Sequence, residues 1–404
     1  MGKEKLALAF ILILGLGLRL WGANQSFWLD EASQAQQSVL AFSQIWSGRA
    51  GDFHPPLFYL LAHVWLTYSH SEVWARLLPI GIGLIGIWLM TPLSNYIFSN
   101  KKIKVASLSL SCGTWASLLL AINPFHIYYS QEFRMYSLLA TLGIWAMYLF
   151  AKSSRWLWLP LVLMLYTHYA SFLLLPTMLG YALVFDRTKL KSGLAHWGLA
   201  LLGYTPWLPQ FLRQLGSGVN IDQYLPGWRE LLTLGPVTAT PLVLFKLMAG
   251  RINFISRIAY GIYAGFVLGL IGAAIVIDKV KRPLLLSWLF LPLLAAIGLS
   301  FVIPLTQPFR LIFVLPALIL LLVGAMLRRF PQLILLLVVY ISVTGIVMYA
   351  SRPRLQREQW RQASQYLQSQ VGPNSAVVIK FSGNFAPLDW YAPQLEVTAA
   401  VPTY

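Results

Sequence analysis

The stretch LIFVLPALILLLVGAML, residues 311–327, contains no charged side chain, and PQLILLLVVYISVTGIVMY, residues 331–349, follows after Arg328-Arg329. Each stretch is close to the ~20 apolar residues with which an α-helix crosses the hydrocarbon core of a bilayer. The paired arginines between them are typical of a short cytoplasmic loop, because such loops are enriched in Lys and Arg. The two stretches therefore predict a helical hairpin in a membrane.

Similar apolar stretches recur along the 404 residues. The chain is 58% hydrophobic and 11% charged, whereas a soluble domain is ~45–50% apolar and ~25% charged. This composition excludes a soluble enzyme with one buried core and predicts an all-α polytopic membrane protein. We predict eleven transmembrane helices, at residues 6–22, 73–98, 105–123, 133–151, 156–169, 170–185, 194–212, 257–277, 283–303, 309–327 and 331–349.

The basic residues indicate the orientation in the membrane. If the N-terminus is cytoplasmic, the short loops on its side, together with Lys3 and Lys5, hold 15 of the 30 Lys and Arg, and only three of the 13 acidic residues, Glu4, Asp186 and Asp278, lie directly beside these basic residues. These loops are 101–104, 152–155, 187–191, 279–282 and 328–329. The asymmetry predicts a multi-pass inner-membrane protein with a cytoplasmic N-terminus and an extracytoplasmic C-terminus. The net charge of +17 then reflects the topology of the loops. The sequence has no basic domain that would bind nucleic acid.

Residues 6–18 would also suit the apolar part of a signal peptide, but ten later spans and the lack of a cleavage site favour a retained helix. The single cysteine, Cys112, excludes an intrachain disulfide and a metal cluster held by cysteines.

Two apolar stretches on the outer side are too short to cross. A helix over residues 55–68 would measure ~21 Å against a core of ~30 Å, so we expect it to lie in the interface, within an outer loop at 23–72. Residues 236–250 predict a second interfacial or re-entrant helix. Both belong to a membrane domain at residues 1–350. Beyond it, residues 351–404 predict a small extracytoplasmic α/β segment, with helical spacing from Trp360 and a strand at 376–381. We expect this segment to dock on the membrane domain or to continue in a longer native chain.

Ionisable residues gather in three outer loops: WLDEA at 28–32, DFHPPL at 52–57 and NPFHIYYSQEFRMY at 123–136. Acidic and histidine side chains brought together there would supply a general base, its orienting partner and a metal site. Each residue also has an ordinary structural interpretation. Asp30 would cap a helix at 31–42, the prolines after His54 would start a helix, and Glu132 would pair with Arg134. His126 and His168 would lie at the interface, and Arg310 would reach from the membrane to water.

The order of these motifs resembles that of the polytopic glycosyltransferases of the GT-C fold that use lipid-linked sugars. The nearest branch is glycosyltransferase family 39, the dolichyl-phosphate-mannose-protein mannosyltransferase-like proteins. The resemblance covers roughly residues 6–400, with further matches in THYASFLLL at 167–175, QPFRLIFVLPALILLL at 307–322 and REQWRQASQYL at 357–367. It implies a GT-C catalytic domain that transfers a sugar from a polyprenyl-phosphate carrier to a glycan, lipid or protein acceptor on the extracytoplasmic side. It also implies inversion of the anomeric carbon.

The resemblance further implies roles for single residues. Asp30 matches the general base, Glu132 the acidic residue that supports the acceptor or a metal, and His54 and Arg310 the phosphate binders. Two positions depart from the pattern. Leu311 replaces the usual tyrosine after the arginine, and Ser33 replaces an arginine of the aminoarabinose transferases.

We take Asp30, Glu31 and Glu132 as candidate catalytic residues. The candidate substrate-binding residues are His54, Arg134, Tyr136, His168, Tyr169, Lys246 and Arg310. Asp30, Glu31 and Glu132 could also hold a hard divalent cation such as Mg or Mn through oxygen ligands, although the chemistry does not require one.

These residue types suit the reaction. A lipid phosphate is a good leaving group, so the enzyme needs a carboxylate to accept the acceptor's proton and cations to stabilise the departing phosphate. One base without a nucleophilic carboxylate predicts direct displacement with inversion. The alternatives are a lipid or glycan transporter or flippase, a polysaccharide polymerase or ligase, and an inactive scaffold. A transporter would place ionisable groups near the middle of the bilayer and would commonly show internal repeats.

Overall fold

Nineteen α-helices account for most of the chain that the structure, a computed structural model, describes: residues 2–48, 54–219, 235–278, 282–303, 305–372, 375–379 and 385–399. In chain order they are α1 Gly2–Leu20, α2 Leu29–Ser38, α3 Phe42–Trp46, α4 Leu57–Leu66, α5 Glu72–Ile97, α6 Cys112–Ala121, α7 Pro124–Ser130, α8 Tyr136–Ala151, α9 Trp158–Leu165, α10 Leu174–Val184, α11 Thr188–Tyr204, α12 Leu208–Val219, α13 Pro236–Ala249, α14 Arg257–Ile277, α15 Pro283–Leu299, α16 Leu315–Arg328, α17 Pro331–Ser351, α18 Trp360–Gln370 and α19 Ala386–Tyr391. Short 3₁₀ helices cover Tyr169–Leu173, Thr205–Trp207, Pro308–Val314 and Pro353–Leu355.

Within the described residues, four helical stretches are long and apolar enough to cross a membrane: Glu72–Ile97, Arg257–Ile277, Pro308–Arg328 and Pro331–Ser351. Each coincides with a predicted span. Six further apolar helices have 10–17 residues, and Leu57–Leu66 and Val237–Ala249 are among them. The short helices expected at 55–68 and 236–250 are therefore present. The number of eleven transmembrane helices stays a prediction.

The third predicted span begins later than expected. Residues 105–111 were predicted as helix, but Lys102–Val105 (β1) and Leu108–Ser111 (β2) form an antiparallel hairpin in which Ile103 faces Leu110. Serine and leucine alternate from Ser107 to Ser111, which is the two-residue period of a strand. The hydroxyl of Ser111 then accepts a hydrogen bond from the backbone N–H of Thr114 and caps α6.

The stretch Pro308–Arg328 forms the centre of the bundle. Of its apolar window, 89% is buried, against 28–44% for the other three long stretches. Helices α7, α13 and α17 meet very closely nearby: a Cβ on Gly345 would lie 2.5 Å from the carbonyl oxygen of Ala249 and 2.8 Å from Cγ of Pro124. Only glycine at position 345 permits this approach of the three backbones.

The loops predicted to be cytoplasmic gather at one end of the bundle. There Glu4 accepts a hydrogen bond from the backbone N–H of Ser111 at 2.9 Å. Arg282 lies 3.1 Å from a carboxylate oxygen of Asp278 and donates to the carbonyl of Ile97 at 3.1 Å. These contacts agree with the predicted alternation of the loops. The assignment of this end to the cytoplasm stays a prediction.

After Ser351 the chain returns over the opposite end of the bundle. Strands Val377–Ile379 (β3) and Val397–Ala399 (β4) pair in parallel, and part of the strand predicted at 376–381 falls outside the described residues. Ser26 donates to the carbonyl of Glu358 at 2.7 Å, and the backbone N–H of Phe27 donates to the hydroxyl of Tyr391 at 2.7 Å. This C-terminal segment therefore docks on the loop that precedes α2.

Candidate active site

A cavity of about 380 Å³ opens at the end of the bundle where the C-terminal segment docks. Asp30, from the first turn of α2, and Glu132, from the loop between α7 and α8, both line it. Two predicted catalytic carboxylates from separate loops thus share one space. The wall opposite is formed by α13 and by Gln307 and Phe309 at the start of the central stretch.

Asp30 is half-buried and belongs to the helix it was expected to cap. Helix α2 begins at Leu29, and its N-cap residue is Trp28, whose carbonyl accepts from the backbone N–H of Ala32 at 2.9 Å. The interpretation of Asp30 as a helix cap is therefore wrong. Its carboxylate lies in the first turn, at the positive end of the helix dipole.

Glu31 is fully buried and is held by two arginines. Arg76 donates to both carboxylate oxygens, at 2.9 and 2.5 Å, Nε of Arg357 lies 3.1 Å from Oε2, and the backbone N–H of Phe133 donates at 2.8 Å. Burial raises the pKa of Glu31, but Arg76 and Arg357 outweigh burial, so the pKa lies below its ordinary value. Glu31 is not among the described residues that line the cavity.

Glu132 has a different environment although it lines the cavity. Its side chain is 1% exposed, and Oε2 has no hydrogen-bond partner within the described part of the chain. Burial, reinforced by the negative charges of Glu31 and Asp30, raises the pKa of Glu132 to about 8. At neutral pH this carboxyl group is therefore mostly protonated and can donate a hydrogen bond into the cavity.

Three basic residues also line the cavity: Lys246, Arg251 and Arg357. The guanidinium groups of Arg251 and Arg357 lie 4.8 and 4.9 Å from the ring centre of Tyr128, and Arg251 donates to the Tyr128 hydroxyl. Burial lowers the pKa of Lys246 to about 8. The Nη2 atom of Arg357 is buried without a hydrogen-bond partner among the described residues. The cavity thus contains cationic groups that an anion can use.

Sequence reasoning predicted Lys246 here but gave no role to Arg251 or Arg357. Arg251 follows Gly250, whose positive φ of 72° ends α13 and turns the chain toward α7. A glycine directly before an arginine at a helix end was the available signal. Arg357 begins the stretch REQWRQASQYL that belongs to the resemblance, but its place in the cavity depends on the return of the chain after α17.

Tyr136 lines the cavity, and a group of predicted substrate binders lies behind it. The rings of Tyr136 and His168 are 6.2 Å apart, and those of His168 and His54 are 5.3 Å apart. His54 lines a separate small pocket with Tyr59 and Trp207. Neither histidine is among the described residues that line the main cavity. Asp52, from the same predicted loop, lies outside the described residues.

Arg134 and Arg310 flank the same region. Nη1 of Arg134 donates to the backbone carbonyl of Asp30 at 3.4 Å. Arg310 packs its guanidinium 5.7 Å from the ring centre of Phe309, close enough to Asp30 to interact with its charge. Both arginines therefore lie beside Asp30 at the edge of the cavity.

Tyr169 and His126 form hydrogen bonds to other side chains of the protein. The Tyr169 hydroxyl donates to Gln214 and accepts from the indole of Trp207 at 3.1 Å, which directs it toward α12. His126 is 1% exposed and bonds Arg19 through Nδ1 at 2.7 Å, inside the bundle. Nδ1 of His168 accepts from the backbone N–H of Ala170 at 3.0 Å and so caps the 3₁₀ helix at 169–173.

The described residues include no group of three or more His, Cys, Asp and Glu side chains arranged to hold a metal ion. Asp30 and Glu132 share the cavity and could supply two oxygen ligands. Metal dependence is therefore a question for experiment.

Comparison of the fold with solved structures places these elements in a known architecture. The chain matches ArnT from Cupriavidus metallidurans bound to undecaprenyl phosphate with a TM-score of 0.63 at 15% identity, over 100% of this chain and 86% of that chain. It matches the Archaeoglobus fulgidus oligosaccharyltransferase in complex with zinc and sulfate with a TM-score of 0.60 at 14% identity, over 97% of this chain and 62% of that chain. Both are GT-C glycosyltransferases. The chain has the GT-C fold.

The GT-C fold confirms the prediction made from the order of the motifs. The archaeal oligosaccharyltransferase AglB, solved with an inhibitory peptide and a dolichol-phosphate, also matches, with a TM-score of 0.54 at 12% identity, over 92% of this chain and 58% of that chain. The chain thus spans less than two thirds of the oligosaccharyltransferases that share its GT-C fold. No protein-family model and no curated protein sequence matches it.

Proposed function

We propose that this protein is a membrane glycosyltransferase that transfers a sugar from a polyprenyl-phosphate donor to an acceptor hydroxyl on the extracytoplasmic side. The observation that carries the proposal is the cavity in which Asp30 and Glu132 face Lys246, Arg251 and Arg357. Within a GT-C fold, this cavity combines a base for an alcohol with cations for a phosphate. The structural neighbours solved with undecaprenyl phosphate or dolichol-phosphate support a donor of this class.

Asp30 acts as the general base. It accepts the proton of the acceptor hydroxyl as that oxygen forms its bond to the anomeric carbon. The bond between the anomeric carbon and the phosphate oxygen breaks at the same time, and its electron pair leaves with the lipid phosphate. Because attack and departure occur on opposite faces of the sugar, the product has the inverted configuration. Protonated Glu132 orients the acceptor or the sugar by donating a hydrogen bond.

Lys246 and Arg251 bind the departing phosphate. Both line the cavity from the α13 side, and charge-assisted hydrogen bonds to the phosphate would strengthen as negative charge develops. His168 packs behind Tyr136, and His54 packs against His168. The role of His54 and Arg310 as phosphate binders stays a prediction from the resemblance. Glu31, fully engaged with Arg76 and Arg357, is a positioning residue for Asp30.

Transfer can be tested with the purified full chain in lipid nanodiscs and radiolabelled polyprenyl-phosphate sugars. We expect Asp30→Asn to lower the transfer rate by ~10²–10⁴-fold, the range for loss of a general base, and to leave the melting temperature unchanged. Asp389→Asn, a partly exposed carboxylate on the C-terminal segment, is the matched control. Full activity of Asp30→Asn would show that another group is the base.

The same preparation separates the alternatives. A transporter or flippase would move the lipid-linked sugar across the membrane of a proteoliposome without forming a glycosidic bond. A polysaccharide polymerase or ligase uses the same class of donor and forms the same bond, so it differs from the other interpretations only in its saccharide acceptor, which the choice among saccharide, peptide and lipid acceptors in the assay identifies. Chelation with EDTA decides the metal question: loss of transfer that Mg or Mn restores would assign a cation to Asp30 and Glu132.

A further inference from the structure

A second cavity, of about 240 Å³, adjoins the catalytic cavity and has a different chemistry. Five side-chain amides line it: Asn24, Gln25, Gln356, Gln359 and Gln362. Gln356 and Arg357 line both cavities and form the wall between them. The proposed mechanism uses none of these amides.

Several of the amides are available to a ligand. Gln359 and Gln362 are exposed, and within the described residues their side chains make no hydrogen bond. Gln25 accepts from the Tyr349 hydroxyl through Oε1 at 3.1 Å, while its Nε2 donates to no described residue. Each free amide offers both donors and an acceptor.

The two arginines beside the cavity are each held by a carboxylate. Arg357 is paired with Glu31 at 3.1 Å, and Arg361, which also bonds Asn24, is paired with Glu72 at 3.1 Å. The exposed lining is formed by neutral donors and acceptors side by side, which favours an uncharged polar ligand. Neighbouring hydroxyl groups on a sugar ring, each both a donor and an acceptor, fit such a surface.

The size and position of the cavity suit one sugar unit. Its volume equals that of about eight waters at ~30 Å³ each, which is on the scale of one hexose ring. Gln25 and Ser26 lead directly into α2 and Asp30, and the bond from Ser26 to the Glu358 carbonyl holds the two walls together at 2.7 Å. A ring in this cavity would direct its terminal hydroxyl past Arg357 toward Asp30.

We infer that the amide-lined cavity is the acceptor subsite and that it binds an uncharged saccharide. This inference rests on the proposed function and specifies its acceptor: the reaction extends or caps a glycan. The acceptor hydroxyl loses its proton to Asp30 and forms the bond to the anomeric carbon, while the bond from that carbon to the phosphate oxygen of the donor breaks and the lipid phosphate leaves as the second product.

Binding can be measured without catalysis. Full-length protein in nanodiscs is titrated with neutral disaccharides (lactose, maltose, cellobiose and diacetylchitobiose), with glucuronic acid and with a threonine-containing peptide, by saturation-transfer NMR. We expect at least one neutral disaccharide to bind. The double variant Gln359→Ala/Gln362→Ala should weaken that binding about 10–30-fold, as expected for the loss of two neutral hydrogen bonds. Gln365→Ala, an exposed glutamine on the same helix outside this cavity, should leave it unchanged.

The outcomes separate the subsite from the proposed function. If no neutral saccharide binds, if the double variant binds as the wild type does, or if transfer goes to the peptide or to a phospholipid without a saccharide, the acceptor subsite is wrong and the glycosyltransferase proposal stands. If a saccharide binds as expected but no donor sugar is ever transferred, the subsite stands and the proposed function is wrong.

Discussion

Nε of Arg357 lies 3.1 Å from Oε2 of Glu31, the residue next to Asp30. Arg76 binds the same carboxylate, and all three side chains are at most 6% exposed. The cluster therefore joins α5, α2 and the C-terminal segment. Removing one member leaves a buried charge without its partner, which typically costs ~3–5 kcal/mol.

We expect Glu31→Gln to lower both the melting temperature and the transfer rate, because Arg76 and Arg357 then lose their counter-ion. Asp30→Asn should lower only the transfer rate. Thermal unfolding in detergent, followed by tryptophan fluorescence, measures the difference. The double variant Glu31→Gln/Arg357→Met should recover part of the lost stability, since one unpaired charge is removed. An unchanged melting temperature in Glu31→Gln would contradict the positioning role.

Glu132 should make stability depend on pH. Its pKa of about 8 in the folded protein is above its ordinary value of 4.5, so its contribution to stability is fully present below about pH 4.5 and is lost as pH rises toward 8. The loss is roughly 1.4 kcal/mol per pH unit across that interval. We expect the melting temperature of the wild type to fall from pH 5 to pH 8 relative to Glu132→Gln, with EDTA present.

Glu396→Gln is the control for that measurement, because Glu396 is an exposed carboxylate of the C-terminal segment. Its pH profile should follow that of the wild type. Parallel profiles for the wild type and Glu132→Gln would show that the Glu132 carboxyl group is ionised in the folded protein.

Lys246 should contribute to donor binding through its charge. We expect Lys246→Ala to weaken binding of undecaprenyl phosphate about 10–100-fold, the usual effect of losing one charge-assisted hydrogen bond, and Lys246→Arg to retain most of the affinity. Intrinsic fluorescence of the protein in nanodiscs gives the dissociation constant. Lys104→Ala, which removes an exposed lysine of β1, should have no effect. Equal affinities for Lys246→Ala and the wild type would remove Lys246 from the phosphate site.

The predicted orientation can be tested by cysteine labelling in intact cells. Ser43 and Ser107 are exposed residues, Ser43 in the outer loop and Ser107 in the hairpin predicted to be cytoplasmic. A membrane-impermeant maleimide should label Ser43→Cys and should label Ser107→Cys only after lysis. The native Cys112 is 0% exposed, so it should give little background. The reverse labelling pattern would contradict the predicted orientation.

The membrane helices could be read from the sequence because apolar composition and helix ends are local properties. The span predicted at 257–277 agrees with Arg257–Ile277 at both ends. The hairpin at 102–111 was missed because a hydropathy window averages over the alternation of serine and leucine. The two-residue alternation of serine and leucine indicated a strand, and averaging the hydropathy over a window removed that alternation.

The site was predictable only in part, for a physical reason. Asp30 and Glu132 lie in motifs that identify loops, and the fold brings them to one cavity. Arg357 reaches that cavity through the return of the chain after α17, which depends on tertiary packing, whereas Arg251 had only the weak local signal of Gly250 before it. Tyr169 was predicted to bind substrate, yet the 3₁₀ helix at 169–173 directs its hydroxyl to Gln214.

The hydrogen bond from the backbone of Phe27 to the hydroxyl of Tyr391 joins residues 364 positions apart. At ~5–20 residues per second, a ribosome makes Tyr391 roughly 20–70 s after Phe27. During that interval the loop that precedes α2 lacks its contact with Tyr391. The nascent chain should therefore be inserted yet inactive, and should become active only once Tyr391 has been translated and has packed against that loop.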